Sequence, residues 1–299
     1  MAKFAKNVDP QAVARRQAVN VMKQMQGKHI RSVRTVRNYE ERLAIVARAA
    51  NSVFQCGLRD LTVSQAHQYL TDRAAEVGQK TLDMERQAIQ SMMQHVTGRL
   101  TPGQTLTVIK SEQQQNLTSR SYTPAQVRMI CSAQTEPNAL ATRIAHAAGL
   151  RAHELYTLQR PGERAPDDRP ALAEKFTDRT GERYTVMGKG GLIREVQIPV
   201  YLAESLESRR FDEPKQINDR GVNYTSCYDI SGGNRWSASF SSASKRSLNW
   251  STGAHGLRHS YAQERMNELQ QHLVYEKALE VVSQEMGHFR PEITEVYLR

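Results

Sequence analysis

His255-Gly256-Leu257-Arg258-His259-Ser260 is the stretch around which the chain is organised. His255 and Arg258 stand three residues apart, a spacing that a helix projects from one face. A guanidinium can grip two non-bridging oxygens of one phosphate. An imidazole beside it can move a proton near neutral pH. Taken alone, the same pair is equally two residues on a surface helix.

The neighbouring segments add the rest of a site. Downstream, Gly287-His288 is followed nine residues later by Tyr297. Pro291 breaks the helix after His288, so the segment to Tyr297 reads as a new turn or short helix. A tyrosine near a C-terminus is ordinarily a packing residue with a wet hydroxyl. For chemistry, a phenol ionises near about 10, and flanking guanidiniums favour both its ionisation and the charge of a five-coordinate phosphorus. Upstream, Gly149-Leu150-Arg151-Ala152-His153-Glu154-Leu155 places Arg151 just past a helix-ending glycine. Glu154 either holds the Arg151 fork or is a solvated carboxylate. Between these segments, Tyr184–Met187 and Arg194–Pro199 alternate around Gly188-Lys189-Gly190-Gly191, which predicts a β-hairpin with a lysine at its tip. Lys189 is either a solubilising charge or a mobile general acid for a leaving oxygen. Each residue has an ordinary explanation; their joint occurrence in one order does not. A phenol, two guanidiniums and two imidazoles are the parts of a metal-free phosphoryl-transfer site that cuts and rejoins DNA.

This order resembles the tyrosine recombinases, the lambda-integrase-like family of phage and mobile-element integrases. Gly-Leu-Arg-x-x-Glu-Leu matches the family at Arg151, the hairpin lysine at Lys189, His-x-Leu-Arg-His-Ser at 255–260, and Gly-His with its later tyrosine at His288 and Tyr297. The resemblance spans about residues 122–299, and residues 31–98 resemble the core-binding domain more loosely. It implies Arg151, Lys189, His255, Arg258, His288 and Tyr297 as catalytic residues, with Glu154 supporting. Tyr297 would form a 3′-phosphotyrosyl link, and a homo-tetramer on two specific double-stranded sites would pass through a Holliday junction. Accessory DNA-bending proteins can join such assemblies; no cofactor or metal is expected.

Three departures accompany the resemblance. The 30 residues from Arg258 to His288 predict an insertion among the intervening helices. Residues 200–250 are long and irregular. The sequence stops two residues after Tyr297, where many relatives continue into a tail that docks on a neighbouring subunit; the expectation is a truncated chain or assembly through other contacts. Two alternatives stay open: a type IB topoisomerase-like enzyme that reseals the same strand, and a non-catalytic, sequence-specific DNA-binding protein.

Charge supports a polyanionic partner. The formal net charge is +10, from 41 Lys and Arg against 31 Asp and Glu. Residues 1–110 hold 17 basic and 8 acidic residues, whereas residues 111–299 hold 24 and 23. The attraction is therefore concentrated toward the N-terminus, where counterion release makes binding salt-sensitive. Cys56, Cys131 and Cys227 form no paired pattern, which fits a reducing compartment. No signal core or long apolar run is present, so the expectation is a soluble, cytoplasmic, nucleoid-associated protein without a membrane segment.

The predicted fold is α-rich and two-domain: an all-helical core-binding domain and a mixed α/β, mainly helical, catalytic domain with a small antiparallel sheet, together forming a clamp on DNA. Residues 1–30 form a basic leader, either an arm on DNA or a solvated tail, with helical spacing from Pro10 to Gln26. Residues 31–100 form the helical domain, residues 101–121 a polar linker, and residues 122–299 the catalytic domain. Within the latter, 160–182 reads as surface loop, 211–235 as irregular, and Ser237–Asn249 as a polar helix.

Overall fold

The computed structural model describes residues 9–115 and 117–299; the expectation for the first eight residues of the leader lies outside them. The chain divides after residue 116 into two compact units.

Among the described residues, the regular elements of the first unit are helices. Helix α1 (Pro10–Met25) is capped by Asp9, whose carboxylate accepts from the Gln11 amide, and Pro10 opens it. α2 spans Val33–Phe54, α3 Val63–Ala74 and α4 Gln79–Met92. Thr62 and Gln65 form a reciprocal capping box at α3, which satisfies two amides that the helix itself leaves unpaired. Leu43, Val46, Ala47, Leu70, Leu82 and Ile89 fill the core. Glu85 is fully buried there, accepting from the Tyr69 hydroxyl at 2.8 Å and the Arg73 Nε at 3.2 Å.

Two sequence expectations change here. The leader does not stand apart: Ala14, Ala18, Val21, Met22 and Met25 are buried in the same core as α2. An apolar stripe of that width buries enough surface to hold the helix down. Much of the polar linker is also pinned. Leu106 is buried, its amide donates to the Gln90 side chain at 3.0 Å, and the Gln79 amide oxygen accepts from the Ser111 amide at 2.8 Å. Glutamines of α4 thus pair the backbone of a segment that has no periodicity of its own.

The second unit opens with α5 (Pro124–Ser132), started by a Thr123–Gln126 capping box, and α6 (Glu136–Ala147). Strands β1 (Glu182–Met187) and β2 (Ile193–Ile198) form the antiparallel hairpin the alternation predicts, with Met187 opposite Ile193. α7 (Val200–Glu207) follows. Residues 211–235 are not irregular. They hold a second antiparallel hairpin, β3 (Arg210–Asp219) and β4 (Val222–Tyr228), and the start of α8 (Gly233–Leu248). Its two turn residues, Arg220 and Gly221, have φ of 54° and 81°, the left-handed pair that a tight hairpin needs. β3 is largely exposed, so no apolar alternation marks it. Among the described residues, the small antiparallel sheet is two separate two-stranded ones.

α9 (Gly256–Leu269), α10 (Tyr275–Glu285) and α11 (Pro291–Thr294) complete the unit. The residues between Arg258 and His288 are the remainder of α9, a turn, α10 and its closing Met286-Gly287. Trp236 and Phe240 of α8 pack with Ile144, Val186, Ile198 and Leu257 in the main core. A smaller cluster joins Tyr261, Met266 and Leu269 to Leu279, Val282 and Met286. Among the described residues, no helix is long and apolar enough to cross a membrane.

Candidate active site

α9 is the axis of the site. Ten of its fourteen residues are buried, so its polar side chains must find partners inside the protein. Arg258 is fully buried. Its guanidinium donates to the Gly149 carbonyl, to the Met286 carbonyl at 3.0 Å and to His288 Nε2 at 3.1 Å. One side chain thus ties the end of α6 and the end of α10 to α9. Both ends turn on glycine. Gly149 has φ +59°, and a Cβ there would stand 2.7 Å from the Tyr261 ring. Gly287 has φ +70°, and a Cβ there would stand 2.6 Å from Arg194 Cδ.

Glu154 sits at the centre and is fully buried. Its carboxylate takes Arg151 Nη1 at 2.7 Å, the Arg151 amide at 2.8 Å and Arg194 Nη2 at 2.8 Å, with Arg258 Nη1 at 3.9 Å. Burial alone would raise this carboxyl, but Arg194, Arg258 and Arg151 hold it at about 2. Burial, and then Arg151, lower Arg258 to about 10, so it remains cationic at neutral pH. Three guanidiniums around one carboxylate leave a net positive pocket, the electrostatic complement of a phosphate.

Arg194 escapes motif reading. It lies on β2 facing inward with Val196 and Ile198, and its Nη1 also donates to the Glu285 carbonyl at 2.6 Å. The available signal is an arginine at an inward position of an amphipathic strand, where a charge must be paired.

Tyr297 follows α11 in a single 3₁₀ turn and is half-buried. Its ring centroid lies 5.4 Å from that of His255, 4.8 Å from His259 and 5.1 Å from His288, and Arg258 Cζ is 5.6 Å from it. Five of the six sequence-predicted residues therefore converge, with Glu154 beneath them. Lys189 is the exception. It is exposed on the hairpin tip, although the neighbouring Gly188 abuts the cluster: a Cβ there would lie 3.3 Å from Glu154 Oε1.

The imidazoles are held neutral. His288 is lowered to about 3 by burial and by Arg258, Arg151 and Arg194. His259, part of the motif but given no role by it, is buried and lowered to about 4 by burial and Arg120. His255 is lowered by desolvation and by Arg258; its exposed edge lets water screen part of that effect. The tautomer of His288 follows from its partners. Arginine only donates, so Nε2 accepts, and Nδ1 carries the proton toward Thr294 Oγ1 at 3.0 Å. Thr294 is fully buried and three residues before the phenol.

No protein-family model matches the chain, and no curated protein does. Solved structures match over nearly all of it. A XerH site-specific recombinase bound to its difH substrate aligns with a TM-score of 0.53 at 15% identity, covering 99% of this chain and 94% of that one. The Tn1549 transposon integrase in complex with a circular intermediate DNA gives 0.52 at 14% identity, covering 96% and 95%. A lambda integrase tetramer bound to a Holliday junction gives 0.60 at 14% identity, covering 99% and 82%. The chain therefore has the fold of the tyrosine recombinases, the fold that its motif order predicts.

Proposed function

We propose that this chain is a site-specific DNA strand transferase that cleaves and rejoins duplex DNA for a mobile element. One observation carries the proposal: three guanidiniums converge on one buried carboxylate, and a phenol and three imidazoles pack around one of those guanidiniums, the whole drawn from five separated segments. Structural stability alone does not call for such a positive cluster, because each added guanidinium raises the cost of burial.

Tyr297 Oη attacks a backbone phosphorus. The Tyr–O–P bond forms as the P–O5′ bond breaks, leaving a 3′-phosphotyrosyl link and a 5′-hydroxyl. Arg151 and Arg258 neutralise the phosphorane oxygens, each such donor contributing roughly 10²–10³ in rate. His255, held neutral, accepts the phenolic proton. Lys189 moves in from the hairpin tip to protonate the departing 5′-oxygen. Phosphate draws Arg258 Nη2 away from His288. The Thr294 hydroxyl can either accept or donate, so His288 then loses its Nδ1 proton to solvent, gains one from solvent at Nε2 and donates it to the phosphate, while Thr294 turns to donate to Nδ1. The bond energy stays in the phosphotyrosine, and the 5′-hydroxyl of a partner strand reverses the step without nucleotide hydrolysis. Exchange between two duplexes calls for a homo-tetramer and a Holliday junction, the state in which lambda integrase, of the same fold, was solved.

The test is covalent capture. The protein is incubated with genomic DNA of its host in EDTA, quenched with detergent, and the attached ends are sequenced, with Tyr297→Phe as control. Adducts at one discrete site, absent from the variant, are expected. Scattered adducts would indicate a topoisomerase-like enzyme, and binding without adducts a non-catalytic DNA-binding protein.

A further inference from the structure

Gln263 lies one helical turn beyond His259 on α9, the helix that carries His255 and Arg258. Its Nε2 donates to the Tyr297 carbonyl at 3.1 Å and to the Arg299 carbonyl at 2.9 Å, with Ser119 Oγ at 3.4 Å. Two backbone carbonyls can only accept, so the nitrogen end of the amide must face them. The segment is held on its other side by Thr294, buried against His288. Between these two attachments Tyr297 has little freedom to translate along α9. The flanking Ile293, Val296 and Arg299 are exposed, so burial alone does not hold the segment. We propose that Gln263 is a positioning residue that sets the reach of Tyr297 to phosphorus from within the same chain. This rests on the strand-transferase function proposed above.

A displacement of about 1 Å costs roughly 10²-fold in rate when the reacting groups must meet in line. The experiment uses the full chain and a duplex bearing the site recovered by covalent capture, nicked so that the cleaved strand diffuses away. Gln263→Ala and the isosteric, donor-free Gln263→Glu should each slow adduct formation by about 10²-fold with DNA affinity unchanged. Gln263→Lys, which restores a donor, should recover most of the rate. The second arm places the same substitutions in Tyr297→Phe and supplies hydrogen peroxide as nucleophile. A hydroperoxide oxygen then bonds to phosphorus as P–O5′ breaks and the 5′-oxygen takes a proton, with no phenol involved. Peroxide cleavage should be the same with and without Gln263. Adduct formation within twofold of the unsubstituted chain would overturn the proposal. So would a parallel fall in peroxide cleavage, which would mean that Gln263 supports the fold or the phosphate pocket rather than the nucleophile. A chain that forms no adduct, and whose Tyr297→Phe form gives no peroxide cleavage, would overturn the strand-transferase function itself.

Discussion

Replacing Glu154 by glutamine removes the carboxylate that all three clustered guanidiniums approach within 4 Å, while keeping shape and volume. Two routes give the cost. The folded carboxyl is held at about 2 against an ordinary 4.5; at about 1.4 kcal/mol per pH unit this corresponds to about 3 kcal/mol. Independently, removing one partner of a buried pair typically costs about 3–5 kcal/mol, because charge is left uncompensated. The amide also presents one oxygen where the carboxylate presented two, so Arg151 or Arg194 loses its acceptor. For a unit of this size, roughly 2–4 °C per kcal/mol turns the loss into a melting-point drop of roughly 6–20 °C. Trp236 and Trp250, the two tryptophans of the chain, both lie in the second unit, so tryptophan fluorescence follows it alone. The sign with pH is a further check. A depressed carboxyl stabilises fully above about 4.5, and that stabilisation is lost as pH falls toward about 2; the gap between the original chain and Glu154→Gln should therefore narrow in acid. A variant within about 1 kcal/mol of the original at pH 7, or a gap that widens in acid, would refute the account of Glu154 as the cluster's counter-charge.

Lys189→Met should slow cleavage of ordinary DNA but not of DNA with sulfur in place of the bridging 5′-oxygen, since a thiolate with an ordinary value near 8.5 leaves without a general acid; equal slowing of both substrates would remove Lys189 from that role. Thr294→Val should lower adduct formation by roughly 10²-fold by denying His288 the hydroxyl that permits its tautomer change, and Thr294→Ser should retain activity; full activity of the valine variant would refute the relay. His259 is lowered from 6.5 to about 4, so below 6.5 the unfolded chain takes up a proton that the folded one refuses; about 2 kcal/mol of stability should be lost between pH 6.5 and 5. Urea midpoints at the two pH values should show a smaller loss in His259→Gln, and an unchanged difference would count against burial of a neutral ring. Arg15, Arg16 and Lys23 lie on the exposed face of α1; their joint replacement by alanine should reduce the salt slope of DNA binding by about 0.9 for each phosphate no longer neutralised, and an unaltered slope would take α1 off the DNA.

The side chains of the candidate site are easier to pick out of the sequence than the scaffold is, for a physical reason. Arg151, His255, Arg258, His288 and Tyr297 are chemically distinctive groups in distinctive local contexts, and a hairpin with Gly188, Gly190 and Gly191 at its tip is marked by composition. The β3–β4 hairpin carries no such mark, because its outer strand is exposed and its turn uses Arg220 where Asn or Asp would have signalled it. α1 reads as a leader because its charged residues are all basic, whereas its place is decided by the apolar residues on its inner face.

The anchors of the site are the least legible part. Arg258 is held by the carbonyls of Gly149 and Met286, Arg194 by that of Glu285, and Gln263 holds those of Tyr297 and Arg299. Every residue has a carbonyl, so these partners leave no trace in composition or spacing. What brings them within reach is the termination of α6 and α10 beside a helix buried on most of its faces. The unmatched carbonyls at those helix ends need donors, and inward-facing arginines supply them while leaving a net positive cluster. The same side chains therefore finish the fold and furnish the pocket, which is why Arg194 looks like packing from its strand and like chemistry from its partners.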